Sequence, residues 1–545
     1  MTSIPLVLSG LMSSSDTNVE LNQTLVSAST PYSGTGESAT DNLVAQKFIA
    51  AAEVTPTPCP AESNCDAAPT AKTDIVDNKA MPQIKVDEKN VGPIPSTFAT
   101  DVQNRDPNAY FNSISCVADG ECVGVGAFDN TTGGSEAFTQ TQTNGKWGIA
   151  TPANFGLGVQ NDIPEAFFES VSCAAPGNCV AAGTFEDFAG GNEAFTQTQT
   201  NGMWETAMPA TFGVDVQSTV PFAYFNSISC PAPGNCVAAG TFEDFAGGNE
   251  AFTQTKTNGM WETAVSTAFG NDVQSIDPFA DFNSISCPVP GNCVAAGSFR
   301  NFAGGYEAFT QTKTNGMWET AVSTAFGNEV QSIDPFAYFN SISCPAPGDC
   351  VAAGTFRNFA GGYEAFTQTQ RDGSWDTATP AKFSPDSQNA VPDAYFQSVS
   401  CPAVGNCVAV GRFENSAGGY EAFTQTQTDS IWDIATPAKF SPDSQNAVPD
   451  AYFESVSCPA VGNCVTVGRF ANSAGAYEAV IQTQRNGIWV TATFATFDID
   501  LQNSDPFAYF NSISCLSTGE CVAAGGFENA TGGFEAFTQT FQIRN

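Results

Sequence analysis

The residues of this 545-residue chain with the most evident chemistry are its 18 cysteines. They fall as pairs six positions apart: Cys59 and Cys65, Cys116 and Cys122, Cys173 and Cys179, Cys230 and Cys236, Cys287 and Cys293, Cys344 and Cys350, Cys401 and Cys407, Cys458 and Cys464, Cys515 and Cys521. Two thiols across a Pro-Gly turn, as in Cys230-Pro-Ala-Pro-Gly-Asn-Cys236, fall near the ends of neighbouring strands, which suits a disulfide. Closing so small a loop contributes about 2–3 kcal/mol by restricting the unfolded chain, and a series of such bonds suits an oxidising compartment. Metal ligation by the same thiolates needs a second pair to complete a four-ligand site. Buried free thiols are the third alternative.

The chain contains no histidine. That excludes Ser-His-Asp and Cys-His nucleophile systems and histidine-ligated zinc, and no metal or other cofactor is expected. Carboxylates are the remaining candidates for chemistry. Glu136, Glu193, Glu250, Glu307, Glu364, Glu421, Glu478 and Glu535 recur at one spacing beside Gly-Gly loops. Two readings compete. A ring of carboxylates could hold cations or a basic partner, or each Glu could accept backbone N–H bonds from its own loop. Phe188, Phe245, Phe302 and Phe359 sit inside these loops, either folded back as a local core or exposed as contacts.

The elements that position these residues follow from the spacing. Cys116 to Cys173 is 57 residues, and every later step is the same. All 7 Trp keep this beat, from Trp147 to Trp489, as do Phe98 to Phe497 and Pro107 to Pro506. One unit reads as four strands. They are Tyr224 to Cys230, Cys236 to Phe242, Glu250 to Thr257, and a run carrying Trp261. Asn258-Gly259 is a hairpin signal between the last two. Four antiparallel strands per unit, in eight units, predict an all-β, eight-bladed β-propeller. The last unit ends before its Trp position, and counting back by 57 places an equivalent at Asn90. The N-terminal region is therefore expected to supply the outer strand of the last blade, removing an open edge.

Three regions are expected. Residues 1–30 form a leader or disordered N-terminus, with the apolar run Ile4 to Met12. Residues 31–81 form a Ser/Thr/Ala/Pro-rich linker carrying a decayed cysteine hairpin, Cys59 to Cys65. Residues 82–545 form the propeller. No run is long and apolar enough for a membrane-spanning helix. The formal net charge of -38 repels nucleic acid and anionic lipid and favours cations or basic partners.

The string Ser-x-Ser-Cys-Pro-x-x-Gly-Asn-Cys-Val-Ala-x-Gly, at 227–240 and 398–411, resembles the tandem repeats of secreted bacterial proteins with sialidase-like or kelch-like propellers. The segment Gly-Gly-Tyr-Glu-Ala-Phe ending in Gly-Ser-Trp375 is similar to a kelch blade, whose Tyr sits later. The resemblance covers residues 82–545 and implies the fold and an extracellular or cell-surface location rather than an activity. The near identity of the copies favours a non-enzymatic binding or scaffold module with a protein or glycan ligand, because an active site needs unlike residues in unlike roles. The alternative is a secreted glycoside hydrolase using paired carboxylates. A ligand is expected on the face opposite the cysteine hairpins, where the Gly-Gly loops and the Gln-x-x-x-Pro connections gather.

Overall fold

The computed structural model describes residues 92–543, apart from the segments 100–107, 157–164, 214–221, 271–278, 328–335, 385–391, 442–448 and 498–506. The Gln-x-x-x-Pro connections fall largely in these segments. They, the Asn90 equivalent, Cys59 and Cys65, and the leader and linker regions lie outside the described residues.

Eight antiparallel sheets form the blades of a β-propeller, numbered 1 to 8 from Cys116 to Cys515. In blade 3 the inner strand is Ala223–Ala232, the second Asn235–Glu243 and the third Asn249–Thr257. The fourth, outer strand is interrupted into Met260–Trp261 and Val265–Ser266, both pairing with the third. Asn258 and Gly259 both have positive φ, 49° and 87°, as the expected hairpin turn requires. Among the described residues there is no helix, and hence none long and apolar enough to cross a membrane.

Every described cysteine is in a disulfide. The bonds are Cys116–Cys122, Cys173–Cys179, Cys230–Cys236, Cys287–Cys293, Cys344–Cys350, Cys401–Cys407, Cys458–Cys464 and Cys515–Cys521. The metal and free-thiol alternatives therefore fall away for these pairs. The position of the bonds differs in one respect from the expectation. In blades 1 to 7 the cysteines do not end their strands, because the hairpin continues beyond them: in blade 2 the strands reach Ala175 and restart at Asn178, outside Cys173 and Cys179; in blade 8 the inner strand ends at Cys515. Two classes of hairpin result. Cys116 pairs with Cys122, Cys173 with Cys179 and Cys515 with Cys521 as direct partners in the ladder. In blades 3 to 7 the register shifts at the bond, as between Ser343 and Ala346 beside Cys344 and Cys350. Those five blades have a proline after the first cysteine, such as Pro345, whereas Val117, Ala174 and Leu516 follow it in the other three. Proline has no N–H to give to the ladder, so pairing is interrupted where it stands.

Phenylalanine columns build the cores. In blade 3, Phe212 packs on Phe242 and Phe252 at 4.9 and 5.0 Å, and Phe252 also meets Phe225 at 5.0 Å. Blade 7 puts Val480 in the Phe252 column. Phe212 precedes its blade in sequence, so the core borrows one ring from the connection before it. Trp261 packs against the same cluster.

The inner strands would leave backbone donors unpaired, because no strand lies beyond them. The Ser-x-Ser-Cys motif resolves this. In blade 3, Ile228 and Cys230 donate their N–H groups to Ser170 and Ser172 Oγ of blade 2, at 3.3 and 2.9 Å. The same two bonds recur at every interface, including blade 8 to blade 1, where Ile114 and Cys116 donate to Ser512 and Ser514. The circle is therefore complete. Ile94–Pro95 adds the outer strand of blade 8, with Ile94 opposite Thr538 and Pro95 opposite Phe537. Phe98 then enters the core of blade 1, 4.7 Å from Phe128 and 5.0 Å from Phe138.

A second inner ring uses amides. Asn112, Asn226, Asn283, Asn340 and Asn511 each donate Nδ2–H to the main-chain oxygen of a phenylalanine in the next blade, at 2.7–2.9 Å. The same column holds Gln397, Glu169 and Glu454. An ionised carboxylate cannot donate, and burial pushes the pKa of both glutamates up. An acid whose pKa is raised by folding stabilises fully below its unfolded value, and that contribution is lost as pH rises through the folded value. Glu169→Gln and Glu454→Gln are therefore expected to raise the thermal midpoint at pH 7 by about 1–3 °C each and to have little effect near pH 3. Calorimetry at the two pH values checks this; equal gains at both would show that ionisation is not the cause.

Candidate ligand-binding face

The inner strand runs away from one end of the ring toward the disulfide hairpin, and the second strand returns. The end opposite the disulfides thus carries the start of every inner strand and the loop between second and third strands. Each of these loops is closed by its first residue. Asn301 Oδ1 accepts N–H bonds from Ala303 and Gly305 at 3.0 and 3.1 Å, and Asp187 Oδ1 does the same for Ala189 and Gly191. Gly304 has φ 89°, which the turn demands of its first glycine.

The repeated glutamates therefore do not accept the loop's backbone N–H groups, because the Asn or Asp takes them. Instead Asn130, Asn301, Asn358, Asn415, Asn472 and Asn529 donate Nδ2–H to Glu136, Glu307, Glu364, Glu421, Glu478 and Glu535 at 2.5–2.7 Å. Blades 2 and 3 differ: Asp187 and Asp244 replace the Asn, so Glu193 and Glu250 meet a carboxylate. Burial, then the neighbouring aspartate, pushes both glutamates up. Phe188, Phe245, Phe302 and Phe359 are 54–56% exposed, so they stand out at the loops rather than folding back as a local core. Thr131, Ser416, Ser473 and Ala530 take their place in the other four blades.

The repeated columns gain ionisable groups together in blades 6 and 7. Four columns meet at the start of the inner strands. The first holds Phe222, Phe279, Phe336 and Phe507 in four blades, Asn108 and Glu165 in blades 1 and 2, and Asp393 and Asp450 in blades 6 and 7. The second, on the second strand, holds Thr184, Thr241 and Thr355, but Arg412 and Arg469. The inner-strand column supplies Tyr338, Tyr395 and Tyr452, and the start of the third strand supplies Tyr363, Tyr420 and Tyr477. Arg412 Cζ lies 5.0, 5.2 and 4.8 Å from the ring centroids of Tyr395, Tyr420 and Tyr452. Arg469 lies 4.9 Å from Tyr452 and 5.7 Å from Tyr477.

Asp393 Oδ2 accepts the Tyr420 hydroxyl at 2.5 Å, and Asp450 Oδ2 accepts that of Tyr477. The bond to Asp393, then burial, pushes the Tyr420 phenol up to about 12. Burial, then Asp393, raises Tyr395, and burial pushes Tyr338 up to about 12. These phenols stay protonated and are poor nucleophiles. The buried Nε–H of Arg412 and of Arg469 has no acceptor in the protein, and Oδ1 of Asp393 and of Asp450 has no donor. Comparison of columns between blades would have exposed Asp393, Asp450, Arg412 and Arg469 in the sequence, since these depart from their columns, whereas tyrosine is the commonest residue in both of the other two. The site residues expected from the sequence include neither these aspartates nor these tyrosines.

The disulfide end carries clefts between blades, of about 450 Å³ between blades 3 and 4 and about 410 Å³ between blades 6 and 7. Smaller ones of about 250 Å³ and 330 Å³ lie between blades 1 and 2, lined in part by Cys179, and between blades 5 and 6, lined in part by Cys350. Both of these sulfurs are bonded, to Cys173 and Cys344, so they offer a ligand no thiolate. Lys256 and Lys313 border the cleft between blades 3 and 4. They are buried, donate to Thr198 and Thr255 Oγ1 at 2.6 Å, lie over Trp261 and Trp318, and have pKa values lowered by burial. Among the described residues no group of three or more Cys, Asp or Glu side chains is placed to hold a metal ion.

No family model matches the chain, and no curated protein matches it. Solved structures do align. A protein of unknown function from Dyadobacter fermentans is 10% identical over 84% of this chain and 99% of its own, with a TM-score of 0.38. A polysaccharide lyase, PL25 ulvan lyase, is 10% identical over 75% of this chain and 98% of its own, with a TM-score of 0.39. The Hadza microbial sialidase Hz136 is 12% identical over 75% of this chain and 72% of its own, with a TM-score of 0.30. None of these likenesses bears on what this chain does.

The acid pairs of blades 2 and 3 yield a prediction. Asp187→Asn with Asp244→Asn restores the amide donor used by six other blades. It is expected to stabilise the protein by about 1 kcal/mol per blade at pH 7. Because Glu193 and Glu250 titrate above their usual range, the gain should vanish once pH falls below that range. Denaturant titrations at pH 7 and pH 3.5 measure it; a gain undiminished at the lower pH would contradict the assignment.

Proposed function

We propose that this chain is a non-enzymatic binding propeller of an oxidising, extracellular or cell-surface setting. Its ligand would sit over blades 5 to 7 at the end opposite the disulfides. One observation carries the reading: in a ring otherwise built from repeated columns, two successive blades replace Phe and Thr by Asp393 with Arg412 and by Asp450 with Arg469. Both pairs keep buried hydrogen-bonding atoms without protein partners. Structural demand alone is met in blades 3, 4 and 5 by apolar and hydroxyl side chains, so the paired ionisable groups are unnecessary for folding. Their polar atoms, set among tyrosine rings, suit recognition of a polar ligand. The exposed phenylalanines of blades 2 to 5 extend the contact surface beside this sector.

The same groups argue against turnover by paired carboxylates. Asp393 and Asp450 occupy equivalent positions and each accepts a tyrosine hydroxyl, so neither environment distinguishes an acid from a base. The repeated disulfides support the compartment, since such bonds persist where thiols are not kept reduced.

A symmetrised variant tests the reading. Asp393→Phe, Asp450→Phe, Arg412→Thr and Arg469→Thr introduce only residues that other blades already hold in these columns. The variant should fold with the same circular dichroism spectrum and lose at least ten-fold in binding to whatever the wild type captures on glycan and extracellular-protein arrays. Undiminished capture would place the ligand elsewhere. Glycosidase turnover by the wild type, abolished in the variant, would replace the binding reading with the hydrolase.

A further inference from the structure

Arg412 shows what the tyrosines of this sector accommodate. Its guanidinium is faced by one ring from the inner strand of its own blade, one from the third strand and one from the inner strand of the next blade. Counting back 57 residues from Tyr395, Tyr420 and Tyr452 gives Tyr338, Tyr363 and Tyr395, a second complete trio. Counting back from Arg412 gives Thr355. Blade 7 has the trio Tyr452, Tyr477 and Tyr509 with Arg469, whereas blade 4 has Asp281, Tyr306 and Tyr338 with Ser298. Blade 5 alone combines three tyrosines with no arginine.

The rings of blade 5 keep their arrangement without an internal cation. Tyr363 and Tyr395 are stacked at 5.9 Å with 24° between their planes; Tyr420 and Tyr452 are stacked at 6.2 Å and 22°. Phe336 adds an edge against Tyr338 at 5.8 Å and Tyr363 at 5.6 Å. Thr355 holds the position that Arg412 holds one blade later, and its hydroxyl is committed to the main-chain oxygens of Glu364 and Ala394. Asp393 pairs through its backbone with Tyr363, and its buried Oδ1 has no donor.

We propose that Tyr338, Tyr363 and Tyr395 bind an organic cation of the ligand, a guanidinium or alkylammonium group, in the place that Arg412 takes one blade later. This rests on the reading of blades 5 to 7 as the ligand sector and names the chemistry recognised there. Aromatic faces attract such cations, most strongly when water is excluded. They present few lone pairs to a hard metal ion, so the choice falls on a soft organic cation. Asp393 supplies the counter-charge and offsets the opposing charge of Arg412. The net charge of -38 draws cations to the surface.

The test uses the full chain and ligand-observed saturation-transfer NMR. The probes are tetramethylammonium and butylguanidinium, with neopentyl alcohol as an uncharged control of similar shape. The cations should bind and the alcohol should not. Thr355→Arg should fill the cage as Arg412 fills its own and weaken both cations at least ten-fold, as should Tyr363→Asn, a residue that blades 2 and 3 hold in that column. Tyr363→Phe should retain binding. Equal binding of the alcohol, or cation binding unaffected by Thr355→Arg, would overturn the proposal. Should neither cation bind while the symmetrised variant still loses its captured partner, the cation assignment fails alone. Should symmetrisation also change nothing, the sector reading fails with it.

Discussion

The inner strand of every blade presents N–H groups toward the axis side, where no further strand can pair with them. Two serines of the preceding blade accept those hydrogens at each of the interfaces, and the rest of the molecule is arranged so that they can. The Ser-x-Ser-Cys string puts both hydroxyls on one side of an alternating strand. The disulfide after it ties the same strand to its hairpin partner. The borrowed phenylalanine, supplied by the connection before each blade, ties successive blades into one core. An unbroken period of 57 residues is what lets the last blade meet the first in the same register.

Much of this was legible in the sequence because the repeat averages out accident. Four strands per unit, the Asn-Gly turns and the cysteine pairing are all local, and each appears many times. The two classes of cysteine hairpin were less legible, since Cys173–Cys179 and Cys344–Cys350 share a spacing and differ only through the proline that follows the first cysteine. The interruption of the outer strand was not legible, since Met260–Trp261 and Val265–Ser266 pair through a neighbour rather than through a pattern of their own. Closure by an N-terminal outer strand follows from counting. The strand that is described, Ile94–Pro95, corresponds to the second piece of that interrupted strand rather than to the Trp position.

The candidate site was hidden for a different reason. Its members come from two repeats and four separate columns, so nothing in a local window connects Asp393 with Tyr420, or Arg412 with Tyr452. The ring brings them together because the inner strand of one blade packs beside the second and third strands of the blade before it. The repeated glutamates drew attention by their regularity, yet regularity is the mark of a structural role here: six of them receive an amide hydrogen from their own loop. Chemistry particular to this chain is expected where a column changes, and the changes at Asp393, Arg412, Asp450 and Arg469 gather around one set of tyrosines.

Closure of the ring underlies both the fold and the placement of that sector, and it can be measured directly. Ile94 and Thr538 are opposite one another in the closing pair, and antiparallel partners lie about 4.5–5.5 Å apart, within reach of a disulfide. The protein carrying Ile94→Cys and Thr538→Cys is predicted to form this bond on oxidation. Peptide mapping by mass spectrometry should then recover fragments containing residues 94 and 538 joined to each other. Free thiols at both positions, or joining of position 94 to a different blade, would contradict a ring closed by its own N-terminal strand.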